Sequence, residues 1–424
     1  MKSDLDIKGK KLLILAGADV HSKVVTAAKK LGVYTVVTDY LTPKDAPAKQ
    51  IADSYWMLSI TDIESIVIKS KEEGINGVLS YCIDPAQLPY YQICKRLALP
   101  CYGNKEQFDI LTNKRLFKDF CIKHGVEVVQ EYTIEDVLDD KVQYPVLIKP
   151  SESRGSRGQT VCFDRNQVMI ALDVAKAESN DGLAIIERYM SNAHDMSFAY
   201  SVVSGEPYLV KIGDRYLGAI EDNLDRQHMA TILPSVHTDA YKHDIEPKVI
   251  KMIKALGIEF GAVFLQGFWE NGHVYMYDPG LRFPGSDYDL VLRKSTGYDS
   301  MSSFVRFALT GDESSCYGNP NNACYLNGRT CLILSISVRA GVISVFDGFD
   351  TIAALPCVLS SCKRFHEGDE IRSTGDVRQR VAEFVVDLPD RNSALAFIKT
   401  VYKTLKVLDS NGEDMIISKV SIQE

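Results

Sequence analysis

No cysteine pair in this sequence is spaced CxxC, and the eight histidines form neither HxH nor HExxH, so the spacings of a structural zinc site are missing. The ten cysteines are scattered from Cys82 to Cys362 rather than crowded into a short domain, which argues against a disulfide framework. Cys94, Cys121 and Cys331 read as small buried hydrophobes. No apolar run is long enough to span a bilayer, and the start, MKSDLDIKGKK, lacks the h-region of a secretory leader. A cytoplasmic location is the expectation, with no membrane partner. Basic charge is not in excess: 48 Lys and Arg against 56 Asp and Glu leave a net charge of -8. That balance argues against a nucleic-acid partner, which needs a basic face. There is neither an internal repeat nor a low-complexity tract.

What is present is a chain of 424 residues, 46% hydrophobic and 25% charged, the balance of a soluble globular protein of two or three domains. From Lys10 to Tyr102, short apolar runs (LLILA, YTVV, GVLS) alternate with helical patterns at Val20 to Leu31, Ile63 to Lys71 and Pro85 to Leu97. That rhythm predicts a doubly wound, parallel α/β unit over residues 1–104. Its first turn, AGADVHS, has one glycine where a dinucleotide fingerprint has three, and Asp39 is the one echo of a ribose-binding acid. A Rossmann-like scaffold without a nicotinamide is therefore expected. Residues 105–315 change to hairpins separated by helices, an α+β grammar. The turn-rich stretch Thr310 to Ala323 marks a linker or long loop before a third unit, 316–424. In that unit TCLILSISVRAGVISVFDG predicts a hairpin, followed by strands near Val358 and Val381 and a helix from Ser393 to Leu405.

The chemistry sits in the middle unit. Thr112 is the expected cap of a helix with Leu116, Phe117, Phe120 and Cys121 on one stripe, which places Lys114 in the first turn. A cation gains nothing from the dipole there, so an anionic ligand shared with the helix end is one reason for it. In YPVLIKPSESRGSRGQTVCFD, a buried strand delivers Lys149 at its end, and a loop from Ser151 to Gly158 follows, containing Gly155, Ser156 and Arg157. GK[ST] is absent and a strand, not a helix, comes next, so this is no Walker A loop. Its hydroxyls, cations and N–H groups suit a cover over a polyphosphate.

Asp164 and Gln167 form a capping pattern for the next helix. The apolar strand AIIERYM then ends in Glu187, Arg188, Tyr189 and Met190, suited to a hinge whose backbone meets a purine edge, and Asp195 could accept from ribose hydroxyls. The last element, GAVFLQGFWENGHVYMYDPGLRFPG, is a hairpin turning at Asn271-Gly272. A two-residue turn sets Gln266 opposite Tyr277, so Gln266 and Asp278 face one ligand only if the ladder bulges. Arg282 follows by four.

Lys114 on a helix, Lys149 before a Gly/Ser loop, an E-x-Y hinge and a hairpin bearing an acid and an arginine resemble, in that order, the ATP-grasp superfamily. The likeness is to the branch of carbamoyl-phosphate synthase large subunits, biotin carboxylases and L-amino acid ligases. It implies a pre-ATP-grasp domain, an ATP-grasp core and a C-terminal cap over the three units above. It further implies that Lys114 and Lys149 bind ATP phosphates under the Ser151 to Gly158 loop, that Glu187 to Met190 hold adenine and that Asp195 takes the ribose. Two acids twelve positions apart hold magnesium in the family, and here Gln266 and Asp278 keep that spacing with an amide in the first place. Gly280 stands where the family's E-x-N-x-R strand has asparagine, and Arg282 is kept to stabilise an acyl phosphate.

The implied cofactors are ATP and Mg2+, with Mn2+ as a substitute metal. The implied reaction joins small-molecule carboxylate and amine substrates through an acyl phosphate, and a homodimer is admitted. Bicarbonate activation, or nucleotide binding without catalysis, are the alternatives, the second supported by Gln266 and Gly280. Lys211 and Arg215 are further candidates for orienting a substrate carboxylate, against the plainer reading of solvated strand charges.

Overall fold

The computed structural model describes residues 6–151, 158–179, 181–190, 193–218, 228–285, 288–374, 377–417, 419, 420 and 422. The first unit carries a parallel sheet of β1 (Lys11–Leu15), β2 (Tyr34–Thr38), β3 (Ser54–Trp56) and β4 (Gly77–Ser80) in the order β3-β2-β1-β4. The alternation of apolar runs and helices predicted this parallel unit, although the short edge strand β3 was not legible. A segment far along the chain completes it. The helix Ser300–Thr310 is buried from Ser300 to Leu309, and its Phe304, Val305 and Ala308 share a core with Leu13 and Val78. Gly77 permits the contact, because a Cβ there would lie 2.3 Å from the Ala308 carbonyl oxygen.

The middle unit contains a small antiparallel sheet of β5 (Glu131–Tyr132), β6 (Val146–Pro150), β7 (Thr160–Cys162) and β8 (Ala184–Arg188), in the order β5-β8-β6-β7. Side chains alternate along a strand. Val146, Ile148 and Ile186 pack under the helix Arg165–Glu178 with Val168, Leu172 and Ala175, which turns Leu147, Lys149, Ile185 and Glu187 to the other face. Asp164 caps that helix by accepting from the Gln167 N–H, while the Gln167 side chain reaches Phe163 N.

The rest of the molecule is organised by one eight-stranded sheet. Its members are β9 (His194–Val203), β10 (Glu206–Leu217), β11 (His228–Leu233), β12 (Phe260–Glu270), β13 (His273–Gly280) and β14 (Thr330–Ser337), extended by strands further on. The two that extend it are β17 (Val358–Lys363) and β19 (Arg380–Leu388), while β15 (Gly341–Val342) with β18 (Glu370–Ile371) and β16 (Val345–Asp347) with β20 (Lys406–Leu408) form two separate two-stranded sheets. The sheet order is β13-β12-β9-β10-β11-β14-β19-β17, so its hydrogen bonding crosses the turn-rich stretch between the middle and last units. The predicted hairpin over Thr330 to Gly348 does not form: β14 pairs with β11 and β19, β15 with β18, and β16 with β20. Central-strand apolar content drew β14 into the large sheet, and local order along the chain could not reveal that. All ten cysteines are free, and Cys94, Cys121 and Cys331 are buried as expected. No helix among the described residues is long and apolar enough to cross a membrane.

Candidate functional site

The small sheet and the β13 edge of the large one meet around three lysines. The helix Lys114–Lys123 is capped not by Thr112 but by Asn113, whose side chain accepts from Arg115 N and Leu116 N. Thr112 ends the preceding helix, where its hydroxyl donates to the Phe108 carbonyl. The cap still leaves Lys114 in the first turn, with Nζ 3.8 Å from Asp278 Oδ1. That is too long for a hydrogen bond, so the pair is loose. Phe117 and Cys121 are buried as the stripe predicts, while Leu116 is exposed. The segment after this helix runs along β13, with Met276 N donating to Glu127 O and Val129 N to Met276 O.

Lys149, delivered by β6, is buried and donates to Glu187 Oε1 on the neighbouring β8. The other carboxylate oxygen, Glu187 Oε2, lies 2.7 Å from Lys118, which also reaches Glu131 at 2.6 Å and the Val129 carbonyl at 3.2 Å. Burial raises the Glu187 acid, but the charges of Lys149 and Lys118 outweigh it and hold the group below its ordinary value. Burial lowers Lys149, and Lys114 and Lys118 reinforce that against Glu187. For Lys118 the two carboxylates win over burial and raise it. Lys118 was not singled out by the sequence; only its i,i+4 relation to Lys114, which sets both on one helix face, pointed to it.

Across from this group, the hairpin bulges. Glu270 pairs with His273 and Gly267 with Met276, but Gln266 pairs with Asp278, so Tyr277 is the extra residue. Gln266 also lies opposite Ser197 on β9. Gln266, Asp278 and Ser197 therefore share a face. Arg282, just beyond β13, forms a bidentate pair with Asp84 at 2.5 and 3.1 Å and donates to the Phe283 carbonyl. Its guanidinium carbon sits 5.2 Å from the Phe264 ring centroid.

The hinge differs from expectation. Arg188 N and Tyr189 N already donate to Gln130 O and Pro145 O, and the Arg188 guanidinium pairs with Glu270 at 2.8 Å. Met190, buried, is left with the one hinge N–H that has no backbone partner among the described residues. Asp195 is not an open ribose acceptor. It is 4% exposed, with Oδ2 taken by Arg215 at 2.6 Å and Oδ1 by the bulged Tyr277 at 3.0 Å. Burial raises its carboxyl in spite of Arg215. Ser151 likewise spends its hydroxyl locally, on Ser179 and Asp181 at the base of the loop. Gly158, at the other end, adopts φ +68°, and a Cβ would fall 2.9 Å from Pro150 Cγ. Gly155, Ser156 and Arg157 lie outside the described residues. Lys211 is buried and Arg215 half-buried in its pair with Asp195, so neither is a solvated strand charge.

A group of three or more His, Cys, Asp or Glu able to hold a metal does not occur among the described residues. Asp278 and Gln266 offer one hard anionic oxygen and one neutral carbonyl oxygen on a shared face, a donor set that fits one Mg2+ completed by phosphate and water.

Residues 113–263 match the family described as carbamoyl-phosphate synthase L chain, ATP binding domain. The carbamoyl phosphate synthase large chain of Clostridium botulinum (strain Loch Maree / Type A3) is 23% identical over 272 residues, covering 62% of this chain and 24% of that one. The chain thus spans about a quarter of the length of that relative. Among solved structures, the L-amino acid ligase from Bacillus licheniformis superposes with a TM-score of 0.76 at 17% identity, covering 95% of this chain and all of that one. The biotin carboxylase domain of 2-oxoglutarate carboxylase from Hydrogenobacter thermophilus, a dimer in complex with MgADP, ADP and bicarbonate, gives 0.72 at 18% identity, over 94% and 90% of the two chains. At these identities the superpositions speak for the fold. Sequence and fold agree: residues 113–263 match that ATP-binding domain, and the chain carries the ATP-grasp fold.

Proposed function

We propose that the protein is an ATP-dependent ligase that activates a carboxylate as an acyl phosphate and passes it to an amine, releasing ADP and phosphate. The observation that carries this reading is the convergence of Lys114 and the Lys149–Glu187–Lys118 group on the face bearing Asp278 and Gln266. Phosphoryl transfer asks a protein for positioning and charge neutralisation more than for a covalent nucleophile. Lys114, held only loosely by Asp278, has a charge to spare for the phosphates of ATP. Lys149 is aimed by Glu187 rather than left to rotate.

Asp278 would hold magnesium, with Gln266 beside it, and the metal when bound supplies charge neutralisation at the phosphates. Arg282, oriented by Asp84, is the residue for the developing charge on the acyl phosphate. Glu187 to Met190 remain the proposed adenine hinge, with the Met190 N–H as the available donor. Gly155, Ser156 and Arg157 remain the proposed phosphate cover. A homodimer located in the cytoplasm is the proposed form, in line with the dimeric relative.

The test is ATP-dependent hydroxamate formation from a panel of carboxylates with hydroxylamine. Hydroxamate and ADP in equal amounts support the ligase. ADP release without hydroxamate across the panel would move the proposal to bicarbonate, the anion present in the Hydrogenobacter complex. Binding of ATP with no turnover would favour a nucleotide-binding protein, the reading that the single carboxylate beside Gln266 supports.

A further inference from the structure

Lys211 stands on β10 opposite Ala199, and two residues on, Gly213 stands opposite Ser197. Ser197 in turn pairs with Gln266, and Gln266 with Asp278. Residues two apart on a strand share a face, so Lys211, Ser197, Gln266 and Asp278 lie on one side of the large sheet. From β12 to β10 is two strand spacings, roughly 10 Å.

Lys211 is 4% exposed, yet its ammonium has neither a carboxylate nor a hydrogen-bond acceptor among the described residues. Its one recorded partner is the Tyr288 ring, 5.0 Å away at the centroid. The carboxylate whose charge reaches it, Glu383, is committed elsewhere, to Arg380 at 3.0 Å and Ser335 at 3.1 Å. Burial pushes the Lys211 amine down to about 7, with Arg215 and Lys23 adding to the effect. Ser197 Oγ is also buried without a hydrogen-bond partner among the described residues. An unpaired ammonium and an orphan hydroxyl inside a protein are both unfavourable. Two of them on one face, beside the Gln266–Asp278 pair, form a socket whose missing member is an anion.

We infer that Lys211, with the Ser197 hydroxyl beside it, is the recognition point for an anionic group, a carboxylate or a phosphate, that the acceptor amine carries away from its reacting end. This rests on the ligase reading for the word acceptor, but the binding site itself does not. The amine end would then lie toward Gln266 and Asp278, and a simple uncharged-tail amine would be a poor substrate.

Thermal denaturation of the full chain tests it without nucleotide, using β-alanine, phosphoethanolamine and propylamine as probes on the wild type, Lys211→Met and Lys211→Arg. The expected result is a raised midpoint with β-alanine or phosphoethanolamine and none with propylamine; whichever anionic probe acts at lower concentration identifies carboxylate or phosphate. In Lys211→Met the half-maximal concentration should rise by about tenfold or more, the loss of one charged hydrogen bond. Lys211→Arg should keep part of the response. Lys211→Met itself should be at least as stable as the wild type, and a separate shift with MgATP should be unchanged. Equal probe responses in wild type and Lys211→Met, no difference between the anionic probes and propylamine, or a marked loss of stability in Lys211→Met would each overturn the inference. A MgATP shift absent from both proteins would count against the ligase reading alone.

Discussion

Tyr277 donates to Asp195 at 3.0 Å because it is the residue that the β12–β13 ladder leaves out of pairing. One irregularity thus does two things. It brings Asp278 into line with Gln266, and it sends the bulged side chain to a buried acid on β9, where Arg215 completes the cluster.

The metal assignment follows from that alignment. Asp278→Asn should abolish ATP turnover, since Glu270, the other carboxylate on the hairpin, is held at its far end by Arg188, and no anionic protein oxygen is left beside Gln266 for magnesium. Gln266→Glu should be tolerated and should lower the magnesium concentration for half-maximal activity. Turnover measured against magnesium decides: an Asp278→Asn enzyme with unchanged magnesium dependence ends the assignment.

Glu187 neutralises two buried lysines, so replacing it is a stability experiment as well as a catalytic one. Glu187→Gln should cost about 3–5 kcal/mol, the range for breaking a buried ion pair by removing one partner. Because the folded carboxyl lies below its ordinary value, its contribution is present above the unfolded pKa and lost as pH falls through the folded one. Urea unfolding between pH 7 and pH 3 should therefore show less acid dependence in the variant.

Lys149→Met and Lys114→Met should separate. Both should slow turnover strongly, but Lys149→Met also leaves Glu187 with Lys118 alone, whereas Lys114 touches only a loose partner. Unfolding should detect a change for Lys149 and little for Lys114. Normal turnover in a folded Lys149→Met protein would remove it from the site.

Lys211 shifts stability in the same direction as Glu187, upward with pH, but in a higher pH window. Its folded amine titrates near 7, well under the ordinary lysine value, so the folded state binds fewer protons than the unfolded one above pH 7. Wild-type stability should gain from this group as pH rises from about 7 toward the ordinary lysine pKa. The stability advantage of Lys211→Met should be largest below pH 7 and shrink above it. The groups around it, Arg215, Cys331, Glu383 and Lys23, are unchanged by the substitution, so the difference curve isolates Lys211.

Gly158→Ala should lose roughly 1–2 kcal/mol, since alanine pays for a left-handed backbone and its methyl would crowd Pro150 and Glu178. A thermal melt equal to that of the wild type would show that the loop base can shift.

The sequence announced these elements wherever the signal was local. The parallel rhythm of the first unit, the helix behind Lys114, the strand behind Lys149 and the need for a bulge near Asp278 were all legible from spacing and turn chemistry. What escaped was pairing over distance. Lys118 finds its partner sixty-nine positions on, Asp195 is claimed by Arg215 and Tyr277 from two other strands, and β14 joins a sheet rather than its neighbour in the chain. Periodicity says which face a residue occupies; it does not say what stands across from that face.

The helix Ser300–Thr310 changes what a truncation can mean. A fragment ending at residue 104 would keep every strand of the parallel sheet but lose the cover over Leu13 and Val78, leaving Phe304, Val305 and Ala308 behind on the severed piece. Such a fragment should be sticky or unfolded by itself, and supplying residues 300–310 in trans would be the natural rescue. The chain leaves its first module, builds the sheets that carry the three lysines and Asp278, and returns to close the module it left, so the two are wired as a loop rather than as beads.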